Sequence, residues 1–197
     1  LHCGDNYLDF LNEYDIIMKS PGIALFDSVS ADVKEKITSQ TDLFLRFCDN
    51  KIIGITGTKG KSTTSSLIEH IINYCGKKAV LIGNIGIPPL SVIDSLEKDT
   101  IVVCEMSCHQ LEYVKASPQT AVLLNIYEEH LDHYVNFNAY KAAKENIYMY
   151  QIEGDLLIYN KELENSAINS LLAEKISVSQ DYTADVYLDG SDIIFFD

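Results

Sequence analysis

One stretch constrains the fold of this chain more than any other: Lys51 to Thr64, with the sequence KIIGITGTKGKSTT. It begins with an apolar, β-branched run of the kind that forms a buried strand. After Gly57 and Gly60, the apolar residues recur at the spacing of a helix. Those helical residues are Leu67, Ile68, Ile71 and Ile72. A strand, a glycine turn and a helix in this order predict a phosphate-binding loop.

In such a loop, glycines let backbone N–H groups approach the phosphates, and the helix N-terminus adds the positive end of its dipole. Lys61 is placed to reach the terminal phosphates, and the Ser62 hydroxyl is placed to hold Mg²⁺. The match to the general pattern is imperfect, because the position five before Gly60 is Ile55 and not glycine. An ordinary turn with a solvated lysine is the alternative, but the Lys-Ser-Thr-Thr sequence favours a nucleotide site. The predicted phosphate-binding residues are Gly57, Thr58, Lys59, Gly60, Lys61, Ser62 and Thr63.

The composition narrows the choice of partners. A formal charge of −14 over 197 residues argues against nucleic acid or an anionic membrane as the main partner. The hydrophobic content of 47% is that of a soluble globular protein, and no apolar run is long enough to span a membrane. The five cysteines lack the close pairs of a zinc site. We therefore expect a cytoplasmic protein with reduced cysteines, whose polyanionic ligand is held by local donors and metal.

Parts of two domains are expected. Residues 1–48 are predicted to be the incomplete end of a smaller Rossmann-like domain, with a strand at 14–18, a turn at 19–22 and helices at 28–36 and 41–47. Residues 49–197 are predicted to be most of a central domain. The chain lacks an initiator Met and ends in the strand-like run 193–196. We therefore expect a fragment of a longer protein.

From Lys51 onward, strands and helices alternate. This pattern predicts an α/β fold of the P-loop type, a parallel sheet with helices on both faces. Further strands are predicted at 79–82, 100–107, 120–125, 156–159 and 176–179, and helices at 90–96, 137–150 and 163–172. Residues 185–196, with a turn at 189–192, are predicted to form a hairpin.

Several polar residues follow predicted strands, at the edge where parallel sheets bind ligands. Besides the glycine loop, these are Asn84, Glu105 and His130. Mg²⁺ prefers oxygen ligands, so Glu105 is the better candidate and His130 the less expected one. The alternative for Glu105 is a helix N-cap or a satisfied buried acid, whereas His130 and Lys144 taken alone are more typical of solvated surface residues.

Five motifs in order change this balance. They are Gly57–Thr63 (GTKGKST), Gly83–Gly86 (GNIG), Glu105–Glu112 (EMSCHQLE), Asn125–Asp132 (NIYEEHLD) and Tyr140–Lys144 (YKAAK). Together they resemble the Mur ligases, the ATP-dependent amide ligases of peptidoglycan synthesis. The likeness runs from about residue 16 to the end, and it is greatest for the member that adds D-glutamate to UDP-MurNAc-L-alanine.

The resemblance implies ATP and two Mg²⁺ ions as cofactors. It implies that Lys61 binds the β- and γ-phosphates and that Ser62 and Glu105 hold the first Mg²⁺. His130 would help to hold the second, between the γ-phosphate and the substrate carboxylate. Lys144 matches the family lysine that carries a carbamate derived from CO₂, a further oxygen ligand for that ion.

The resemblance also implies a substrate side. Asn84, Ser107 and Gln110 would line the region where the UDP-sugar lies, and Ser20 belongs to a loop that resembles the family's uridine-binding loop. The sequence departs from the family at Lys59, where Asn is common, and at His109, where an aromatic or apolar residue is usual.

The implied reaction is phosphorylation of the carboxylate of UDP-MurNAc-L-alanine by ATP, followed by attack of the D-glutamate amine. We expect a monomer, and we expect this fragment alone to be inactive. Two alternatives stay open. One is a sibling Mur or folylpolyglutamate-type ligase with another amino acid, and the other is a non-catalytic ATP-binding module.

Overall fold

The computed structural model describes residues 4, 7–25, 29–180 and 183–195. The strands are β1 (Ile17–Met18), β2 (Ile37–Thr38), β3 (Ile52–Thr56), β4 (Ala79–Gly83), β5 (Ile101–Glu105), β6 (Thr120–Leu123), β7 (Leu156–Asn160), β8 (Glu174–Val178), β9 (Val186–Asp189) and β10 (Asp192–Phe195). The α-helices are α1 (Ala31–Lys36), α2 (Gln40–Phe47), α3 (Lys61–Tyr74), α4 (Cys108–Leu111), α5 (Phe137–Glu145) and α6 (Ser166–Ser170). Short 3₁₀ helices cover Tyr7–Glu13, Pro89–Ser91, Ile93–Ser95 and Lys161–Leu163.

The main sheet has eight strands in the order β10-β9-β8-β7-β6-β3-β5-β4. The pairs from β4 across to β9 are parallel, and β10 pairs with β9 in the antiparallel direction. β3 lies between β5 and β6, with β5 and β4 on one side of it and β6 to β10 on the other. The direction in which the chain adds strands to the sheet therefore changes at β3. In parallel sheets this switch point, at the carboxyl ends of the strands, is where ligands bind. The predicted parallel α/β sheet and the terminal hairpin are confirmed.

Helices cover both faces of this sheet, as predicted. On one face, Ile68 and Ile72 of α3 pack against Ile55, Val103 and Val122. On the other face a larger core joins the sheet to four helices. Its helical members include Phe44 and Leu45 of α2, Leu111 of α4, Tyr140 and Ala143 of α5, and Ile168 of α6. Alternate residues of each strand face opposite layers, which is why the buried strands have apolar side chains on both sides.

Some predicted details were wrong. The segment 90–96 forms two 3₁₀ turns instead of a helix. The Ser91 hydroxyl donates to the Pro88 carbonyl at 2.6 Å, a local bond of the kind that competes with helical hydrogen bonds. The apolar face of the helix predicted at 41–47 would consist of Leu43, Phe44 and Phe47, yet Phe47 has 63% of its surface exposed. Leu67 and Ile71 are also about half exposed, so α3 packs through only part of its apolar side.

Three helices are shorter than predicted. α5 ends at Glu145, since Asn146 caps it and donates its side-chain amide to the Leu111 carbonyl at 3.0 Å. α6 begins only after Asn165, whose side chain accepts from the Ile168 N–H. α1 begins after its cap Ser30, and the predicted start at residue 28 lies outside the described residues.

The N-terminal segment forms a small unit of its own beside the sheet. β1 and β2 pair in parallel as a separate two-stranded sheet. α2, predicted to precede the domain boundary, packs Phe44 and Leu45 into the main core. The boundary at residues 48–49 stays a prediction. Within the described residues, the structure contains no helix long and apolar enough to cross a membrane.

Candidate active site at the carboxyl edge of the sheet

The glycine loop lies between β3 and α3, at the switch point of the sheet. Gly60 has φ +85°, a left-handed conformation that favours glycine, and it directly precedes the first turn of α3. A Cβ at Gly57 would lie 2.9 Å from the Leu124 Cβ. Both glycines are therefore needed for the loop to turn and to contact the segment that follows β6.

Asn125 clamps the loop from that neighbouring segment. Its side chain accepts from the Lys59 N–H at 2.8 Å and donates to the Lys59 carbonyl at 3.0 Å. Its backbone carbonyl accepts from the Thr58 N–H at 2.9 Å. These three bonds hold the loop in shape before any ligand binds. Sequence reasoning gave Asn125 no role; the signal available was its position at the carboxyl end of a predicted strand.

The buried Thr58 hydroxyl connects the loop to α5. It accepts from the Tyr127 N–H at 2.9 Å and lies 2.8 Å from the Tyr140 hydroxyl. Burial raises the pKa of Tyr140 to about 12, so the phenol stays protonated at neutral pH. This contact links the loop to α5, which also carries Lys144.

Lys61 and Lys144 converge on one acceptor. The Nζ of Lys61 donates to the Gly57 carbonyl at 2.9 Å and to the Thr58 carbonyl at 3.1 Å. The Nζ of Lys144 donates to the same Gly57 carbonyl at 2.8 Å. Lys144 is only 1% exposed. Burial, with a smaller contribution from the Lys61 ammonium, lowers the pKa of Lys144 to about 8.

Glu105 ends β5 beside the loop and is 1% exposed. Its Oε1 accepts from the Asn84 Nδ2 at 2.9 Å, whereas its Oε2 has no hydrogen-bond partner among the described residues. A buried carboxylate oxygen without a donor is costly, because desolvation is not compensated. A cation next to Oε2 would remove that cost.

The donor set fits Mg²⁺ shared with phosphates better than a metal held by protein alone. Among the residues that the structure describes, no three His, Cys, Asp or Glu side chains converge on a metal position. Mg²⁺ is usually held by one or two carboxylates together with substrate phosphates and water. Glu105, with Ser62 exposed in the first turn of α3, matches that arrangement.

His130 lies in the loop after β6 and has a left-handed φ of +57°, uncommon outside glycine. Its carbonyl accepts from the N–H groups of His133 and Tyr134, so the strained residue opens a tight turn. The His130 side chain is 45% exposed. This loop is also tied to the glycine loop by an ion pair between Lys59 and Glu129, which lowers the pKa of Glu129.

His109, the departure noted in the sequence, packs inside an aromatic cluster. Its ring centroid lies 4.9 Å from that of His130, 4.2 Å from that of His133 and 5.8 Å from that of Tyr134. Burial and the neighbouring imidazoles lower the pKa of His109 to about 4, so it is neutral at pH 7. The neutral His109 ring therefore packs against its neighbours as an aromatic side chain would.

The residues predicted to contact the substrate lie in three places. Ser107 and Gln110 form a capping box at the start of α4, in which each side chain bonds to the backbone of the other. Ser20 lies in the turn after β1, where its carbonyl accepts from the Ile23 N–H at 3.1 Å. Asn84 contacts Glu105, as described above. Their roles toward a substrate stay predictions, as do those of the metal and phosphate ligands.

Comparison with known proteins gives the family. The sequence profile of the Mur ligase middle domain matches residues 55–193, which is more than half of the chain. Among curated proteins, the UDP-N-acetylmuramoylalanine–D-glutamate ligase of Clostridium kluyveri is 39% identical over 176 residues, covering 88% of this chain and 38% of that protein. The Clostridium botulinum (strain Langeland) protein of the same name is 36% identical over 178 residues, covering 86% and 39%. The chain thus spans well under half the length of these relatives.

Solved structures with the same fold include a MurF ligase and FolC. The chain superposes on the MurF ligase of Thermotoga maritima in complex with ADP with a TM-score of 0.59 at 19% identity, covering 93% of this chain and 46% of that one. It superposes on Escherichia coli FolC in complex with DHPP and ADP with a TM-score of 0.56 at 14% identity, covering 98% and 55%. At these identities the likeness shows the fold alone.

Proposed function

The chain belongs to the Mur ligase family through its middle domain, and on that premise we propose that the intact protein is an ATP-dependent amide ligase of peptidoglycan precursor synthesis. The proposed reaction adds D-glutamate to UDP-MurNAc-L-alanine. The relatives at 36–39% identity are named UDP-N-acetylmuramoylalanine–D-glutamate ligase, which supports D-glutamate as the amino acid that is added. This chain would supply the nucleotide site and part of the substrate site.

ATP is proposed to bind with its phosphates over the glycine loop. Lys61 would leave the Gly57 and Thr58 carbonyls, to which it donates in the free protein, and bind the β- and γ-phosphates. The backbone N–H groups at the start of α3 would add the positive end of the helix dipole. Thr63 would support the loop from within this first turn.

Glu105 and Ser62 would hold one Mg²⁺ against the phosphates, with the unpartnered Oε2 of Glu105 as the ligand. His130 and a carbamate on Lys144 would hold a second. When bound, these ions neutralise the charge that develops on the transferred phosphoryl group. The depressed pKa of Lys144 supports the carbamate, because only the neutral amine adds CO₂.

The chemistry follows in two steps. A carboxylate oxygen of UDP-MurNAc-L-alanine attacks the γ-phosphorus, the bond to ADP breaks, and an acyl phosphate forms. The D-glutamate amine then attacks the acyl carbon, loses a proton and expels inorganic phosphate, so that one ATP is consumed per amide bond. The residues of this chain would bind, orient and neutralise charge, which is the main task in phosphoryl transfer.

Further parts of the proposal concern the substrate side and the setting. Asn84, Ser107, Gln110 and the Ser20 turn are proposed to face the UDP-sugar, with residues 1–48 as the end of the domain that binds it. We also propose that the protein is a monomer and works in the cytoplasm. Through the proposed reaction it would serve wall growth and cell division.

One observation favours a catalytic function over that of a module that only binds ATP. Lys144 is buried at 1% exposure and shares the Gly57 carbonyl with Lys61. Binding of ATP alone does not require a second, desolvated ammonium beside the first. The sibling ligases share this site, so the choice among amino acids rests on the named relatives.

The test is phosphate release by the intact protein with ATP, Mg²⁺ and UDP-MurNAc-L-alanine, across a panel of D- and L-amino acids. We expect release that depends on D-glutamate, that disappears in Lys61→Ala, and that falls in Lys144→Ala while ATP binding persists. Release with a different amino acid would replace the proposed member by a sibling. Intact ATP binding without release for any amino acid would leave only the nucleotide-binding module.

A further inference from the structure

We propose that Glu112 is a positioning residue that fixes the Ser20 turn relative to the His130 loop, through hydrogen bonds to Lys19 and His133. This inference rests on the proposed function, since it assigns these two segments to opposite ends of one substrate. Glu112 closes the EMSCHQLE motif, but neither its sequence nor its spacing revealed which residues it contacts.

The carboxylate joins three segments that are far apart in the chain. Its Oε2 accepts from the Lys19 Nζ at 3.0 Å and lies 3.2 Å from the His133 Nε2. Lys19 directly precedes Ser20, and His133 lies in the turn opened by His130. One carboxylate oxygen is therefore the meeting point of the proposed uridine-side turn and the proposed metal-side loop.

All three side chains are mostly withdrawn from water. The exposed side-chain fractions are 4% for Lys19, 17% for Glu112 and 9% for His133. Lys19 Nζ also lies 5.2 Å from the centre of the Tyr113 ring, in the range of a cation–π contact. Removing one partner of such a pair leaves the other charge buried and unpaired, so the geometry depends on both.

Each end of the bridge is anchored in its own segment. The Lys19 N–H donates to the Thr38 carbonyl at 2.9 Å, which ties the turn to β2. At the other end, the His133 N–H donates to the His130 carbonyl at 3.0 Å. A shift of Glu112 is thus transmitted to the backbone on both sides, and Glu112 itself follows α4, whose cap contains the predicted substrate residues Ser107 and Gln110.

This arrangement predicts a separation of kinetic effects. The bridge orients the UDP-linked substrate across the site, but it does not touch the glycine loop by any of these bonds. Its loss should therefore raise KM for the UDP-substrate and leave KM for ATP nearly unchanged. A residue needed only for stability would lower the amount of active enzyme and leave both KM values as they are.

The experiment is a double-mutant cycle in the intact protein with Lys19→Met, Glu112→Gln and the two combined. We expect each single variant to raise KM for UDP-MurNAc-L-alanine about tenfold, with KM for ATP changed less than about twofold. The double variant should be no worse than the singles, since both remove one bridge. It also buries no unpaired charge, so it keeps the test open if a single variant fails to fold.

The matched control is Glu35→Gln. Glu35 lies 3.9 Å from Lys115 and joins the same two parts of the chain, but its side chain is 84% exposed. It should change neither KM. A double variant that folds and keeps the wild-type KM for the UDP-substrate would overturn the proposal.

A second readout separates this proposal from the proposed reaction. Amide hydrogen exchange of the ligand-free protein does not depend on any substrate. In the double variant, exchange should accelerate in residues 18–23 and 130–134 together, and in neither segment for Glu35→Gln. If the wild-type protein lacks ligase activity but the double variant shows the accelerated exchange in both segments, the proposed reaction is refuted and the bridge is retained. If exchange in the double variant is unchanged in both segments, the bridge is refuted.

Discussion

The ammonium groups of Lys61 and Lys144 donate to the same carbonyl oxygen, that of Gly57, at 2.9 and 2.8 Å. Lys144 is buried and needs an acceptor there, whereas Lys61 is only partly buried. Lys61 has a second acceptor in the Thr58 carbonyl at 3.1 Å. Lys144 comes 87 positions after Gly57 in the chain and lies buried on α5, the helix that the Thr58–Tyr140 contact links to the loop. Burial, with a smaller contribution from the Lys61 ammonium, lowers the pKa of Lys144.

The first prediction concerns stability against pH. In CO₂-free buffer, Lys144→Met should raise the free energy of unfolding by about 2 kcal/mol below pH 8, because a buried charge is removed. The folded amine loses its proton near pH 8 and the unfolded one near 10.5, so the unfolded state binds more protons between these values. Wild-type stability therefore rises across that window, and the advantage of the variant should shrink toward pH 10.5.

Urea denaturation between pH 7 and 10.5 measures this difference. Lys141→Met is the control, since that lysine lies on the same helix with its side chain 35% exposed. An advantage of Lys144→Met that stayed constant over the whole range would contradict the depressed pKa.

The second prediction concerns Glu105. Glu105→Gln keeps the shape and the contact to Asn84 but removes the charge at Oε2. We expect phosphate release to fall at least about 100-fold, because the proposed Mg²⁺ loses its carboxylate. The melting temperature should be unchanged or higher, since no uncompensated carboxylate remains buried.

Calorimetric titration of ATP with and without Mg²⁺ checks the cause. The wild type should bind more tightly with Mg²⁺, and the variant should show little difference. Glu97→Gln, an acid whose side chain is 71% exposed, serves as the control. Full Mg²⁺ dependence in Glu105→Gln would exclude Glu105 as the ligand.

The third prediction concerns the clamp on the glycine loop. Asn125→Ala removes both side-chain bonds to the Lys59 peptide group. We expect a loss of about 1–2 kcal/mol in stability and an ATP affinity weaker by about tenfold, because the loop must then be ordered by the ligand. Asn146→Ala, which removes a bond to the Leu111 carbonyl, should cost stability but leave ATP affinity unchanged. Equal ATP affinities for wild type and Asn125→Ala would show that the loop is shaped without the clamp.

The fourth prediction compares two glycines with positive φ. At Gly83, with φ +109°, a Cβ would lie 2.1 Å from the Glu105 carbonyl oxygen, whereas at Gly76, with φ +78°, nothing lies within 4 Å. Gly76→Ala should cost about 1 kcal/mol from backbone strain alone. Gly83→Ala should cost more than about 3 kcal/mol, since the edge of the sheet at Glu105 must move. Thermal unfolding of both variants measures the difference, and equal losses would refute the close approach.

Much of the fold was predictable because its signals are local. The strand β3, the glycine turn and α3 follow from apolar periodicity and from the conformations that only glycine adopts easily. The same holds for the other strands of the main sheet and the terminal hairpin, whereas the two-residue β2 was not predicted. Helix ends were the weak point. Asn146, at the end of α5, donates its side chain to the Leu111 carbonyl 35 positions away, a partner that sequence patterns do not locate. Asn165 caps α6 through a local bond from the Ile168 N–H, a signal that was present in the sequence but was not used.

The site was predictable only in part. Its members Lys61, Glu105 and Lys144 were named from motifs, but their partners were not. The Asn125 clamp joins residues 66 positions apart, and the Thr58–Tyr140 contact joins residues 82 positions apart. In the Lys19–Glu112–His133 bridge, Lys19 and Glu112 are 93 positions apart. Contacts at this separation depend on strand order, which local propensity does not encode.

The sequence by itself thus determined the alternating α/β pattern, the glycine loop and the types of residue that can bind phosphate and Mg²⁺. The tertiary structure decided that β3 lies between β5 and β6, that Lys144 is desolvated against the Gly57 carbonyl, and that one oxygen of Glu105 remains without a partner. The physical reason is that hydrogen-bonding geometry and burial depend on which distant segments pack together, whereas backbone conformation and apolar periodicity are properties of neighbouring residues.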